Sequence, residues 1–369
     1  MKIYEDKIDI SSHSEIEDIY SHSDHGETDI YSSSKAPKKQ KQNRRKRPFI
    51  RVLAILLSLL LVFSTAIYVY TLTLLNKIER VELDRDNLGI TTSKYSGVVN
   101  IAIFGLDSRS DTYSGRADAN IILTLDKKNG KIKLTTIARD TYVAIEGHGN
   151  SKLTHAYAYG KAELAVNTLN RNFDLEITDY VTVNFFGLAR VIDYLGGVEL
   201  DVSQSELYDL NTNVIPKTDF GDGITCEKLE TSGLQTLSGA QAVCYARIRK
   251  VDSDLERGNR QKELIMAIFD KVKKMSPTKL PEFAAMTLEE CTTSLSSNEM
   301  IGLGLWTILT SPDFEQLSLP NDNISASGKI INGGWYYVYD LDDAKQEIYD
   351  FIKEKNYYSK AEKKKRENA

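Results

Sequence analysis

The stretch NIAIFGLDSRSDTYSGRADANIILTLDKKNGKIKLTTIARD, Asn100 to Asp140, decides the fold. Asn100 to Phe104 is a short apolar run that ends in Gly-Leu-Asp, the pattern of a buried strand opening into a functional loop. Two further apolar runs follow, Asn120 to Leu125 and Lys131 to Ala138, joined through Asn129-Gly130, a dipeptide that favours a tight hairpin turn. Asp118 stands eleven residues before Asn129 and Asp140 eleven after it. Antiparallel pairing therefore places Arg116 and Asp118 beside Arg139 and Asp140 at the open end of the hairpin. A first strand parallel to the third would deliver Asp107 and Arg109 to the same edge, where α/β folds commonly place ligands.

Outward from this hairpin, patterns with helix and strand periods alternate: Glu163 to Asn172, Tyr180 to Asn184, Phe186 to Leu195, Val198 to Val202 and Gly239 to Ala246. Long helices are expected over Leu255 to Lys274 and Asn298 to Leu309, with a last helix over Asp342 to Lys355. The alternation predicts an α/β class and one domain of about 260 residues, a central mixed sheet with helices on both faces, an α/β/α sandwich.

The first fifth of the chain is of another kind. Met1 to Ser34 holds nine acidic residues against Lys2 and Lys7 and few large aliphatics, so it is expected to stay disordered. Lys35 to Arg51 then carries nine Lys or Arg and no acid, and Val52 to Leu75 is 24 residues without a charge. At about 1.5 Å rise per residue that run spans a hydrocarbon core of about 30 Å as one transmembrane helix. A cleaved signal peptide fits less well, because the segment before the apolar run is too long for an n-region and the run too long for an h-region. The basic collar, against mixed charges after the span, predicts a cytoplasmic amino terminus and an extracellular position for the domain that follows. The expected divisions are 1–51 for tail and collar, 52–75 for the span, 76–98 for a stalk, 99–357 for the α/β domain and 358–369 for a charged tail. Beside a span, the collar reads as a topology and lipid signal, so no nucleic-acid partner is expected. In the tail, Asp18-Ile-Tyr-Ser recurs as Asp29-Ile-Tyr-Ser, which would suit a cytoplasmic tyrosine kinase; the alternative is a solvating segment. Of the three cysteines, Cys226 and Cys244 would close the shorter loop, and the sequence leaves their pairing open.

Nine arginines lie between Val99 and Tyr357, and seven fall in three short stretches: Arg109 and Arg116; Arg139; and Arg247, Arg249, Arg257 and Arg260. Arginine's planar fork matches phosphate oxygens two at a time, and such grouping points to a polyphosphate site. The carboxylates among them, Asp107, Asp111, Asp118, Asp140, Asp252 and Asp254, point to a Mg²⁺ that bridges substrate phosphates. Arg257, Arg260 and Gln261 stand at i, i+3 and i+4 and share one helix face, which either looks at a ligand or is a solvated face with ion pairs to Asp252, Asp254 and Glu256. Lys152 is placed as a phosphate or sugar contact, and His155 more readily as a satisfied structural residue. The chain has no GxSxG, P-loop or Gly-rich dinucleotide motif, which argues against serine hydrolases, NTPases and dehydrogenases.

In order along the chain, IFGLDSR, GRAD, IARDTYV, KLTHAYAYG, YLGGVELDV, GLQTLSGAQAVCYARIRK and DSDLERGNRQ resemble the LytR-CpsA-Psr phosphotransferases of Gram-positive cell envelopes. The resemblance runs roughly from Val99 to Lys274. It implies transfer of a glycopolymer from a polyprenyl-pyrophosphate carrier to a hydroxyl of peptidoglycan as a phosphodiester, releasing polyprenyl phosphate. It further implies that Asp107 and Asp118 hold Mg²⁺ or Mn²⁺ and that Arg109, Arg116, Arg139, Arg247, Arg249 and Gln261 line the pyrophosphate. Lys152, Arg257 and Arg260 would stand in a second tier; Arg139, Asp140, Arg116 and Arg249 are the expected catalytic set. Ala138 and Ala119 depart from residues common in the family, and neither change removes a charge. Two other readings stay open on the residues alone: an envelope sensor that binds lipid-linked precursors without turnover, and a pyrophosphatase that releases the polymer to water.

Overall fold

The computed structural model describes residues 46–76, 80–91, 94–107, 115–218, 220, 224–248, 254–276 and 278–353. The acidic tail with its repeated tyrosine motif, most of the basic collar, the C-terminal tail, and Arg109, Asp111, Arg249 and Asp252 lie outside the described residues. The molecule divides into two units, Met1–Leu59 and Leu60–Ala369. The division falls inside α1 (Lys46–Leu75), and among the described residues the first unit holds only the beginning of that helix. The uncharged run Val52–Leu75 of α1 is long and apolar enough to cross a membrane. Most of its side chains, Leu56, Leu60 and Phe63 among them, are exposed, a surface that hydrocarbon accommodates and water does not.

The second unit is built on a mixed sheet. β1 (Val98–Leu106), β2 (Ala117–Asp126) and β3 (Lys131–Ile137) form an antiparallel meander, with the expected turn at Asn129-Gly130. Next come a small ribbon, β4 (Tyr142–Ile145) with β5 (Gly149–Lys152), and helix α2 (Leu153–Phe173). β6 (Ile177–Asn184) then returns parallel to β1.

The chain continues through α3 (Phe185–Tyr194), β7 (Val198–Val202), α4 (Gln204–Asp209), β8 (Gly233–Leu237), α5 (Gly239–Tyr245), α6 (Asp254–Lys273) and α7 (Leu280–Glu289). It ends with β9 (Cys291–Thr293), α8 (Ser297–Thr310), β10 (Asp313–Leu319), the hairpin β11 (Ser327–Ile331) to β12 (Gly334–Val338), and α9 (Leu341–Lys353). The sheet order is β10-β3-β2-β1-β6-β9, with β10 parallel to β3 and β9 antiparallel to β6.

Strand period does the layering. In β1 the even residues Ala102, Phe104 and Leu106 pack into a core with Tyr157, Leu169 and Phe173 of α2 and Ile348 of α9. The odd residue Ile101 packs the other way with Leu125, Ile132 and Leu295, covered by Leu303 and Trp306 of α8. Successive side chains of a strand point to opposite faces, so one apolar run supplies both cores and the sheet lies between helix layers, as expected. Fully burying a side chain such as Phe104 stabilises the fold by about 2–3 kcal/mol.

A third core joins α3, α5 and the antiparallel pair β7–β8. Val198, Leu200 and Val202 face it, while Glu199 and Asp201 face out. Capping boxes start both short helices, Ser203 with Glu206 on α4 and Ser238 with Gln241 on α5. Gly239 lets α5 lie directly on α3: a Cβ there would stand 1.9 Å from the Ala189 carbonyl oxygen. Cys226 and Cys244, the pair closing the shorter loop, stand as thiols with Sγ atoms 3.8 Å apart.

The expected helix over Glu163 to Asn172 starts earlier, at Leu153, and is interrupted at Gly160 and Lys161. The four short strands β4, β5, β9 and β12 and helix α7 lie in stretches where the sequence shows no long period of its own.

Candidate active site

The C-terminal ends of β3, β1 and β6 and the start of β2 meet at one edge of the sheet. The site is the row of side chains along it. At the β3 end, Arg139 donates Nη1–H to Asp118 Oδ1 at 2.8 Å, and its Nε stands 3.3 Å from Asp140 Oδ2. Lys152, at the end of β5, places Nζ 2.7 Å from Asp140 Oδ1. Asp118 and Asp140 are both buried, which strengthens these charge-assisted bonds. Asp118 is also the extra residue of a β-bulge: Gly105 pairs with Ala119 and Leu106 with Ala117, leaving Asp118 unpaired in the ladder. A bulge re-aims a side chain, and here it turns a carboxylate toward Arg139.

One strand further, the Asp107 N–H donates to the Arg116 carbonyl at 3.3 Å. Arg247, past the end of α5, sets Nη2 3.4 Å from Asp107 Oδ1 and Nη1 3.4 Å from Thr218 Oγ1, with its guanidinium 4.6 Å over the Phe185 ring. Arg116 lies exposed at the mouth. From α6, Arg257 and Gln261 line a small recess together with Asp118, Arg139, Asp140 and Tyr337.

Most of the sequence-predicted residues that are described thus come together: Asp107, Arg116, Asp118, Arg139, Asp140, Lys152, Arg247, Arg257 and Gln261. Arg260 does not join them in the recess. It is 3% exposed, and its Nε donates to Glu206 Oε1 at 2.6 Å and its Nη1 to the Ile248 carbonyl at 3.3 Å. Burial would raise Glu206, but hydrogen bonds from Arg260 and Ser203 outweigh it and hold the carboxyl below its ordinary value. Helix spacing set the face of Arg260; the capping carboxylate of α4 set its direction.

His155 sits beside the row, with Nδ1 2.8 Å from Ser151 Oγ. Burial first, then the Arg116 and Lys152 cations, hold its imidazole below the ordinary histidine value, so it is neutral near pH 7. Sequence reasoning missed Tyr336 and Tyr337. The Tyr337 N–H donates to the Asp140 carbonyl at 2.9 Å, and Lys152 Nζ lies 5.4 Å over the Tyr336 ring. The signal was present in Asn332-Gly333, a turn dipeptide whose residues both take positive φ, followed by the β-rich Trp335-Tyr-Tyr-Val.

A permanently cationic row with interleaved carboxylates and a neutral histidine can bind and polarise a polyphosphate. Among the described residues no group of three or more His, Cys, Asp or Glu gathers as a metal cage. Asp107 and Asp118 do supply the hard oxygen donors that Mg²⁺ takes when phosphates and water fill its other positions.

The model of the LytR_cpsA_psr family matches residues 65–352. The chain belongs to that family. A curated relative in it, the polyisoprenyl-teichoic acid–peptidoglycan teichoic acid transferase TagT of Bacillus subtilis (strain 168), is 30% identical over 277 residues, 72% of this chain and 83% of TagT. TagU of Oceanobacillus iheyensis, of the same description, is 31% identical over 326 residues, 83% of this chain and 93% of TagU. Among solved structures, TagT bound to LIIa-WTA superposes with a TM-score of 0.58 at 28% identity, covering 74% of this chain and 98% of that one. YwtF (TagT) with bound octaprenyl pyrophosphate lipid gives 0.55 at 27% identity, over 74% and 98%. The α/β fold with a mixed central sheet is thus the fold of the family's solved members.

Proposed function

We propose that this chain is a membrane-anchored transferase that moves a glycopolymer from a polyprenyl-pyrophosphate carrier to peptidoglycan. The observation that carries the reading is the row Lys152–Asp140–Arg139–Asp118, continued by Arg247–Asp107, at one sheet edge. An acceptor hydroxyl oxygen attacks the sugar-bearing phosphorus; that P–O bond forms as the bond from the same phosphorus to the bridging oxygen breaks. The electron pair leaves with polyprenyl phosphate, and the acceptor's proton passes to a base. Phosphoryl transfer asks the protein mainly for in-line positioning and charge stabilisation. Arg139 and Arg247 would hold phosphoryl oxygens, with Arg116 at the mouth and Arg257 and Gln261 inside the recess. Both oxygens of Asp140 face cations, so it orients Lys152 and Arg139 rather than taking the proton. Arg109 and Arg249, implied by the family motif, would add to the cationic set.

Mg²⁺ or Mn²⁺ held by Asp107 and Asp118 would neutralise charge on the pyrophosphate. The partly buried Phe185, under the Arg247 guanidinium, would mark the isoprenoid side, so polyprenyl phosphate would leave toward it. With the basic collar inside, the catalytic domain faces outward, where peptidoglycan lies.

The test incubates the full-length protein in detergent micelles with a polyprenyl-pyrophosphoryl saccharide, Mg²⁺ and peptidoglycan oligomers, and weighs the products, with Arg139→Ala as control. A phosphodiester-linked conjugate that needs Arg139 and disappears with a chelator is the expected result. Binding without turnover would sink the transferase in favour of a sensor; release without conjugate would favour a pyrophosphatase.

A further inference from the structure

One face of the hairpin β11–β12 is exposed toward its turn, where Ile330 and Trp335 stand. Direct cross-strand partners share a face, which groups Ile330 with Trp335 and Gly328 with Tyr337. The indole of Trp335 lies across Gly328, where a Cβ would meet Nε1 at 2.8 Å, and meets the Tyr337 ring edge-on at 4.5 Å between centroids. Trp335 is 40% and Ile330 77% exposed. Such an apolar patch is costly in water without a purpose.

Its place narrows the purpose. Tyr337 lines the same recess as Arg139 and Asp140 and is bonded to the Asp140 main chain, so the patch runs straight out of the charged site. Along the sheet edge the order is hairpin and Asp140 at β3, Asp118 at β2, Asp107 at β1 and Phe185 after β6. At about 4.8 Å per strand, the hairpin and Phe185 flank the charged row from ends about 14 Å apart. In-line displacement brings the nucleophile in opposite the leaving group. With polyprenyl phosphate leaving toward Phe185, the nucleophile enters from the hairpin. A flat, rigid aromatic beside a polar pocket suits the C–H face of a pyranose, whose hydroxyls point outward at the rim.

We propose that Trp335 and Ile330 form the seat of the acceptor glycan, stacking an N-acetylhexosamine ring so that its hydroxyl faces the phosphorus held by Arg139. This rests on the transferase reading, and two separate measurements keep the two apart. The full-length protein carrying Trp306→Phe leaves Trp335 as its single indole. In micelles, titration with a β-1,4-linked N-acetylglucosamine tetrasaccharide should change its emission saturably, and Ile330→Asp should weaken that response. This titration judges the seat even if no conjugate is ever formed. In the transfer assay, Trp335→Ala should raise the acceptor KM about tenfold, the scale of one aromatic stacking contact. Donor KM, acceptor-independent release of polyprenyl phosphate and thermal stability should stay unchanged, and Trp335→Phe should recover most of the loss. A raised donor KM would overturn the proposal, making the platform a donor-sugar seat. A response to anionic phospholipid vesicles but not to the tetrasaccharide would make it a lipid contact, and no response with an unchanged acceptor KM would reject it outright.

Discussion

Arg139 reaches across the β2–β3 hairpin to Asp118, Nη1 to Oδ1 at 2.8 Å, and both side chains are largely withdrawn from water. Each therefore positions the other. Arg139→Ala and Asp118→Asn should each lower kcat/KM by about 10²–10³, the usual cost of one preorganised electrostatic contact. The double variant should fall no more than about tenfold below the worse single one, because residues that act as a unit are not additive. Additive losses in a kinetic cycle would mean that the two groups work independently.

Gly239→Ala forces a methyl into the Ala189 carbonyl. Overpacking of this kind costs about 3 kcal/mol, and α5 must move off α3. Arg247, just beyond α5, should shift with it, so denaturant midpoint and turnover are expected to fall together. A variant with native stability and native activity would show that the two helices can part freely.

Lys133 is fully buried in β3 and donates Nζ–H to the carbonyls of Phe351 and Ile352 at 2.8 and 3.0 Å, in the last turn of α9. It caps that helix with a cation, where the helix end is negative. Lys133→Met keeps the volume and removes the donor, so urea unfolding should show a loss of about 2–3 kcal/mol. Binding of the donor lipid, far along the strand, should change little.

His155 makes stability fall in mild acid. Its folded-state value lies below the unfolded one of about 6.5, so its contribution is complete above that pH and is lost as pH falls through 6.5 toward the folded value. Thermal melts from pH 7.5 to 5 should slope downward, and His155→Gln should flatten part of that slope. Carbon-bound proton resonances of the ring would report the titration directly.

The hairpin and its charged end were readable because a turn dipeptide and strand period act locally: Asn129-Gly130 alone registers Asp118 near Arg139. The bulge at Asp118 was not, since it arises where Gly105 and Ala119 approach so closely that a Cβ on Gly105 would stand 3.0 Å from that of Ala119. The partner of Arg260 was hidden for a related reason. Periodicity gives a helix residue its side of the helix, while the carboxylate that claims it, Glu206, lies 54 residues away. The docking of Tyr337 on Asp140 is likewise tertiary; the sequence shows the Asn332-Gly333 turn but not what the hairpin leans on.

Lys133 meets its carbonyl partner 218 residues later in the chain, and β10, parallel to β3, comes almost as late. As the polypeptide is made from its amino terminus, the strand that leads to Arg139 waits as an open sheet edge while most of the remaining chain is added. Completion of the polymer-handling machinery is therefore tied to completion of the protein itself: a nascent or truncated chain that lacks its last two hundred residues carries the arginine but not the frame that aims it.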